Sequence, residues 1–185
     1  MSKIKTKYLP STHKSLVTNK KSKWVWSYNK GFTSRYVLGE IGSDTVLCIG
    51  LNPSNSTPKN LKYTLTRVRN ISKQNDYDGW VMVNLYPKID TYPKNLPKEK
   101  AQKDLDENFQ EVTELLELYN FRGVWFAWGN NFDSRGFNEY SLKRYLEIFQ
   151  DNYEIFHYGK LTRKNQPKHP RASRNNEIFN RFKVI

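Results

Sequence analysis

Four short apolar runs alternate along the chain with segments whose apolar residues recur at helical spacing. The runs at 45–51 (TVLCIGL), 80–85 (WVMVNL), 123–127 (GVWFA) and 153–158 (YEIFHY) have strand length and are rich in β-branched and aromatic residues, as in strands buried on both faces. Between them, 61–74 sets Leu61, Leu65, Val68 and Ile71 on one helical face, and 98–119 does the same with Ala101, Leu105, Phe109, Val112 and Leu116. A third helix is expected over 137–150 through Leu142, Leu146 and Phe149. Ahead of these repeats, WVWSY and SRYVLGEI flank an Asn29-Lys30-Gly31 turn signal, which predicts a β-hairpin or edge strands. Behind them, a basic loop from Gly159 leads into a short helix expected from about Arg174.

Strands alternating with helices predict the α/β class. The specific expectation is a three-layer α/β/α sandwich around a central, mostly parallel four-stranded sheet, forming one domain over 24–185. Residues 1–23, lysine-rich and with few apolar positions, are expected to be a flexible basic arm. In a parallel sheet the loops that follow the strands gather on one edge, where open α/β sheets bind their ligands. Here those loops carry Asn52, Asn84, Trp128-Gly129 and Lys168-His169-Pro170.

Charge changes this picture. The net charge is +13, and its excess lies at the ends: +7 in 1–23 and +7 in 157–185, leaving −1 for the middle of the chain. Basic blocks of this kind are the footprint of nucleic-acid binding, and a solvated surface is the plain alternative. The basic residues follow no amphipathic stripe, so no membrane partner is expected. The chain contains no run approaching the roughly 18 apolar residues of a membrane-spanning helix, and its N-terminus lacks the apolar core of a secretory signal. Cys48 is the sole cysteine and sits in an apolar run, which fits a reducing, cytoplasmic compartment and leaves no disulfide to form.

Several chemistries are excluded by the residue inventory. There is no glycine-rich dinucleotide or P-loop cradle, no His/Cys spacing for a metal and no nucleophile elbow, so no cofactor or metal is expected. Asp90 and Asp133 lie in loops, where an aspartate ordinarily shapes a turn. Amides, one histidine, aromatics and cations remain at the strand ends. Each has an ordinary reading when taken singly: Asn52-Pro53 as a turn, Asn84 as a buried amide, Trp128-Gly129 as packing and a bend.

Taken together, GLNPS after the first run, VNLYPKIDTYPKNLP, FAWG and the late NQPKHP resemble the family of unknown function DUF1643, and more distantly the uracil-DNA glycosylase superfamily. The glycosylase resemblance implies hydrolysis of the N-glycosidic bond of a pyrimidine, modified or mismatched bases included, in DNA. It casts Asn52 as the holder of the attacking water and His169 as the group acting on the base oxygen. Gly50, Leu51, Pro53 and Ser54 would shape the base pocket, Asn84 would read the base edge, and Tyr63 or Tyr86 would stack on its face. Trp128, Gly129 and Pro170 are the structural neighbours in this resemblance. Lys160, Arg163, Lys164, Lys168 and Arg171 would grip phosphates.

The chain departs from the glycosylase pattern in ways that carry chemistry. Asn52 stands where the most active relatives carry an aspartate, and an amide positions water without taking its proton. Ser54 replaces a bulky aromatic, leaving room for a 5-substituted pyrimidine. No apolar wedge follows His169-Pro170. Two alternatives therefore stay open: a nucleic-acid-binding module without catalysis, and an enzyme acting on free nucleosides or nucleotides.

Overall fold

The structure, a computed structural model, describes residues 12–18, 22–99 and 101–183. Its centre is built from β4 (Thr45–Gly50) and β5 (Gly79–Asn84), two six-residue strands with every position buried. They pair in parallel with Leu47 opposite Val81 and Gly50 opposite Asn84. On the other side of β4 runs β6 (Gly123–Phe126), followed by β7 (Ile155–Tyr158), both parallel to their neighbours. The hairpin expected before these strands is present as β2 (Trp24–Asn29) and β3 (Arg35–Glu40), and β3 joins β5 antiparallel.

The α/β class holds, and the expected four-stranded sheet is corrected to a mixed sheet of eight strands among the described residues, ordered β1 (Thr12–Ser15), β2, β3, β5, β4, β6, β7 and β8 (Phe179–Arg181). Two short strands, β1 and β8, pair antiparallel with β2 and β7 and extend the sheet at its margins. The helix expected from about Arg174 is therefore a strand. Its backbone joins the open side of β7, and Phe179 packs on Trp125 with ring centroids 5.3 Å apart. Within the expected basic arm, residues 1–11 and 19–21 lie outside the described residues. Thr12–Ser15 form β1, and Lys14 reaches Glu111 and Glu114.

Among the described residues three α-helices cover the sheet: α1 (Tyr63–Gln74), α2 (Gln102–Leu118) and α3 (Phe137–Phe149). Strand alternation decides which face each meets. Leu47, Ile49, Val81, Val83, Val124 and Phe126 point to α2 and α3, where they pack on Val112, Leu115, Tyr145 and Phe149. The opposite set, Val46, Cys48, Trp80, Met82 and Trp125, packs on Leu65, Val68 and Ile71 of α1. Asn84 continues the series Trp80, Met82 at the end of β5, so alternation places it on the α1 side. No described helix is long and apolar enough to cross a membrane.

Candidate functional site

The carboxyl ends of β4, β5 and β6 open into a cleft of about 550 Å³. Its walls include Leu51, Asn52 and Ser54 after β4, Asn84 at the end of β5, Trp128 and Gly129 after β6, and His169 and Arg171 from the last loop. Tyr63 at the start of α1 completes the predicted residues that line it. The topological convergence expected from the four loops is therefore present.

Asn84 is the least satisfied group in the cleft. The residue is 1 % exposed, and neither Oδ1 nor Nδ2 has a hydrogen-bond partner. Its backbone carbonyl, by contrast, accepts from Asn108 Nδ2 at 2.8 Å, which fixes the strand end without using the side chain. Gly50 makes room for this amide: a Cβ there would lie 2.7 Å from Asn84 Oδ1 and 2.3 Å from Met82 Cε. A buried polar atom left unpaired costs about 1–3 kcal/mol, so an amide with both ends unpaired is a ready partner for a ligand offering one acceptor and one donor side by side.

Asn52 is oriented by the neighbouring loop. Its Nδ2 donates to the Asp90 carbonyl at 2.8 Å, with longer contacts to the carbonyls of Pro53 and Lys88. The donor end is thus engaged, and Oδ1 is left as an acceptor. Asp90 forms the turn expected of it, its Oδ1 accepting from Tyr92 N at 2.8 Å and Asn95 Nδ2 at 3.2 Å, and it also lines the cleft. It is the single carboxylate among the lining residues.

His169 sits at the N-terminus of one helical turn, Pro170–Ala172, and its Nδ1 accepts the Arg171 backbone N–H at 3.3 Å. Burial, reinforced by the Arg171 charge, pushes its pKa down to about 4. The imidazole is then neutral near pH 7, and with Nδ1 occupied as an acceptor its proton lies on Nε2, a donor for a ligand oxygen. The loop is held by a clasp on the segment that follows β6. Gly129 N–H donates to Pro167 O at 3.0 Å, and Trp128 Nε1 donates to Gln166 Oε1 at 2.8 Å. Gly129 has φ +78, and a Cβ there would press to 2.9 Å from His169 Cβ, so this position needs glycine on both counts.

Not every predicted residue reaches the cleft. Tyr86 is buried elsewhere, its ring 4.6 Å from Phe137 and its hydroxyl donating to Asp104 at 2.9 Å, because alternation ends with the strand at Asn84. Tyr63 does line the cleft: it is 61 % exposed, with the Arg171 guanidinium 5.7 Å from its ring. Pro53 and Pro170 are buried behind the lining. Lys168 is tied to Glu177 at 2.6 Å and serves the loop's own structure. Lys160, Arg163 and Lys164 are exposed and outside the cleft lining.

Residues 35–171 match the family model described as a protein of unknown function, DUF1643. The chain belongs to that family. The matched segment of this DUF1643 protein begins at Arg35 and ends at Arg171, so it spans every cleft residue named above. No curated protein and no solved structure matches the chain.

Sequence reasoning missed Arg35. It was visible only as the first position of an edge strand, yet it is 1 % exposed and lines the cleft, its Nη1 donating to the carbonyls of Ser54 at 2.8 Å and Ser56 at 3.0 Å. Nothing in the sequence set it apart, because β3 carries a second charged residue, Glu40, at its other end.

Proposed function

We propose that this cleft takes a pyrimidine-type base turned out of a nucleic acid, DNA in the first instance, and hydrolyses its N-glycosidic bond. The observation that carries the reading is the buried Asn84 amide with both polar atoms unpaired. An adjacent donor and acceptor match the edge of a pyrimidine, which presents the complementary pair. Tyr63, exposed at the rim, offers a face for stacking.

The neighbouring groups support the chemistry. A water held on Asn52 Oδ1 attacks the anomeric carbon as the carbon–nitrogen bond breaks and its electron pair passes to the base. His169 Nε2–H donates to the base oxygen that gathers this charge, and such preorganised donors typically contribute about 100- to 1,000-fold in rate. Asn52 takes no proton, so the water's proton passes to Asp90, the carboxylate of the same lining. The released base leaves protonated from solvent. The reading calls for no metal or organic cofactor.

Incubation with oligonucleotides carrying uracil, mismatched thymine or 5-substituted pyrimidines, followed by mass spectrometry of free base, tests this directly. His169→Ala and Asp90→Asn should each slow release by about a hundredfold. Release that survives both substitutions, or no release from any substrate, removes the catalytic reading.

A second reading, recognition without hydrolysis, is favoured by one observation: Asn52 is an amide whose donor end is committed to loop carbonyls. It predicts salt-sensitive binding of the same oligonucleotides, lost in Asn84→Ala, with no base freed.

A further inference from the structure

Arg35 poses a separate question from the base-reading amide. Its guanidinium is enclosed, its Nε has no hydrogen-bond partner, and no carboxylate lies within ion-pairing distance of it among the described residues. What it touches are neutral groups: the carbonyls of Ser54 and Ser56 and the Tyr28 phenol. Carbonyl dipoles orient a cation without cancelling its charge, and a buried charge without a counter-ion is costly. Lys14, Arg144 and Lys168 are paired with acids, whereas Arg67 and Arg135 are, like Arg35, held on backbone carbonyls; Arg35 differs from both in being 1 % exposed and in lining the cleft.

The charge is also placed where a ligand can meet it. Arg35 lines the cleft, and so do Lys62 and Arg171, both exposed and therefore at its rim. The one acid of the lining, Asp90, spends Oδ1 on its own turn. A guanidinium held on a strand, with its neighbours fixed before the ligand arrives, suits the bidentate geometry of phosphate oxygens.

We propose that Arg35 forms a phosphate subsite within the cleft, so that the unit recognised is a nucleotide with its phosphate and not a bare nucleoside. The phosphate is either the diester of a nucleic-acid backbone or the monoester of a free nucleotide, and both present the same oxygens. The inference builds on the base-binding reading, but its phosphate arm can be decided without it.

Calorimetric titration at low salt would use inorganic phosphate, deoxyuridine, deoxyuridine 5′-monophosphate and a short single-stranded oligodeoxyuridylate. The monophosphate or the oligonucleotide should bind the wild-type chain at least about tenfold more tightly than the nucleoside, as for a hydrogen bond to a charged group. In Arg35→Gln that ratio should fall toward one, with Arg35→Lys in between. A latch that merely holds the 54–56 loop would lower every affinity alike and leave the ratio unchanged, which overturns the proposal. So would a ratio that falls in Lys62→Ala and Arg171→Ala but not in Arg35→Gln.

A gain confined to the oligonucleotide assigns the subsite to backbone phosphate, and one confined to the monophosphate assigns it to free nucleotides. Phosphate binding that depends on Arg35 without any nucleoside binding keeps this inference and removes the base reading. Nucleoside binding lost in Asn84→Ala, with no gain from phosphate, does the reverse. If the Arg35 variants fail to fold, wild-type crystals soaked in phosphate decide: an ion on the guanidinium supports the subsite, and an ion only at Lys62 or Arg171 refutes it.

Discussion

Among the described residues two places bury charge, and they treat it in opposite ways. Between α2 and β2, Glu111 is 6 % exposed, accepts the Ser27 hydroxyl at 2.6 Å and faces Lys14 at 3.4 Å. Every oxygen of that carboxylate has a partner from the chain. At the carboxyl end of the parallel strands, Arg35 keeps an unpaired Nε and Asn84 two unpaired amide atoms. The first arrangement is complete in the protein alone, as expected where stability is the requirement. The second is incomplete until something enters the cleft, which is the mark of a binding surface.

The contrast is sharpest by substitution. Asn84→Ala should weaken base binding by about a hundredfold while leaving the urea midpoint unchanged or higher, since it deletes unpaired polar atoms from the interior. Glu111→Ala should do the opposite, costing about 2 kcal/mol of stability by chemical denaturation while cleft affinity changes less than twofold. If Asn84→Ala instead lowers stability as much as Glu111→Ala does, the distinction between the two regions is wrong.

Acid tests the same boundary through His169. Its folded-state pKa of about 4 lies below the ordinary 6.5, so the native imidazole stays neutral while the unfolded chain takes up a proton. This contribution is whole above about pH 6.5 and is lost as pH falls toward about 4, an effect on the order of 2 kcal/mol. Urea midpoints across that window should decline in the wild type and decline less in His169→Gln. The clasp behind it is worth less: Trp128→Phe removes the bond to Gln166 and should cost about 1 kcal/mol. Smallest of all, Lys160→Ala or Arg163→Ala should each reduce the slope of log affinity against log salt for single-stranded DNA by about 0.7, without altering base preference.

The strands and helices that were legible in the sequence are those whose burial is decided by their own residues. β4, β5 and β6 are apolar along nearly their whole length, and α1 and α2 carry unbroken stripes, so composition and period suffice. Phe179-Asn180-Arg181 has neither signal. It becomes a strand because β7 offers an unpaired edge, a property of its partner that its own residues do not encode. The cleft divides in the same way. Asn52, Asn84 and His169 were accessible because topology alone brings parallel strand ends together. Arg35 was not, because it enters from an antiparallel neighbour of β5, and burial of a guanidinium leaves no trace in hydropathy. Tyr86 misled because it lies two residues beyond Asn84, where a continued strand would have shared its face.

The clasp of Trp128 and Gly129 on Pro167 and Gln166 joins segments nearly forty positions apart, and the cleft as a whole joins Arg35 to Arg171. Contacts of such long sequence separation form late, since the intervening loops must close before the contact stabilises them. On refolding from urea, the helical signal should therefore return in an earlier phase than the ability to hold a ligand. For an interval during its synthesis or recovery from stress, the chain has helices without its function.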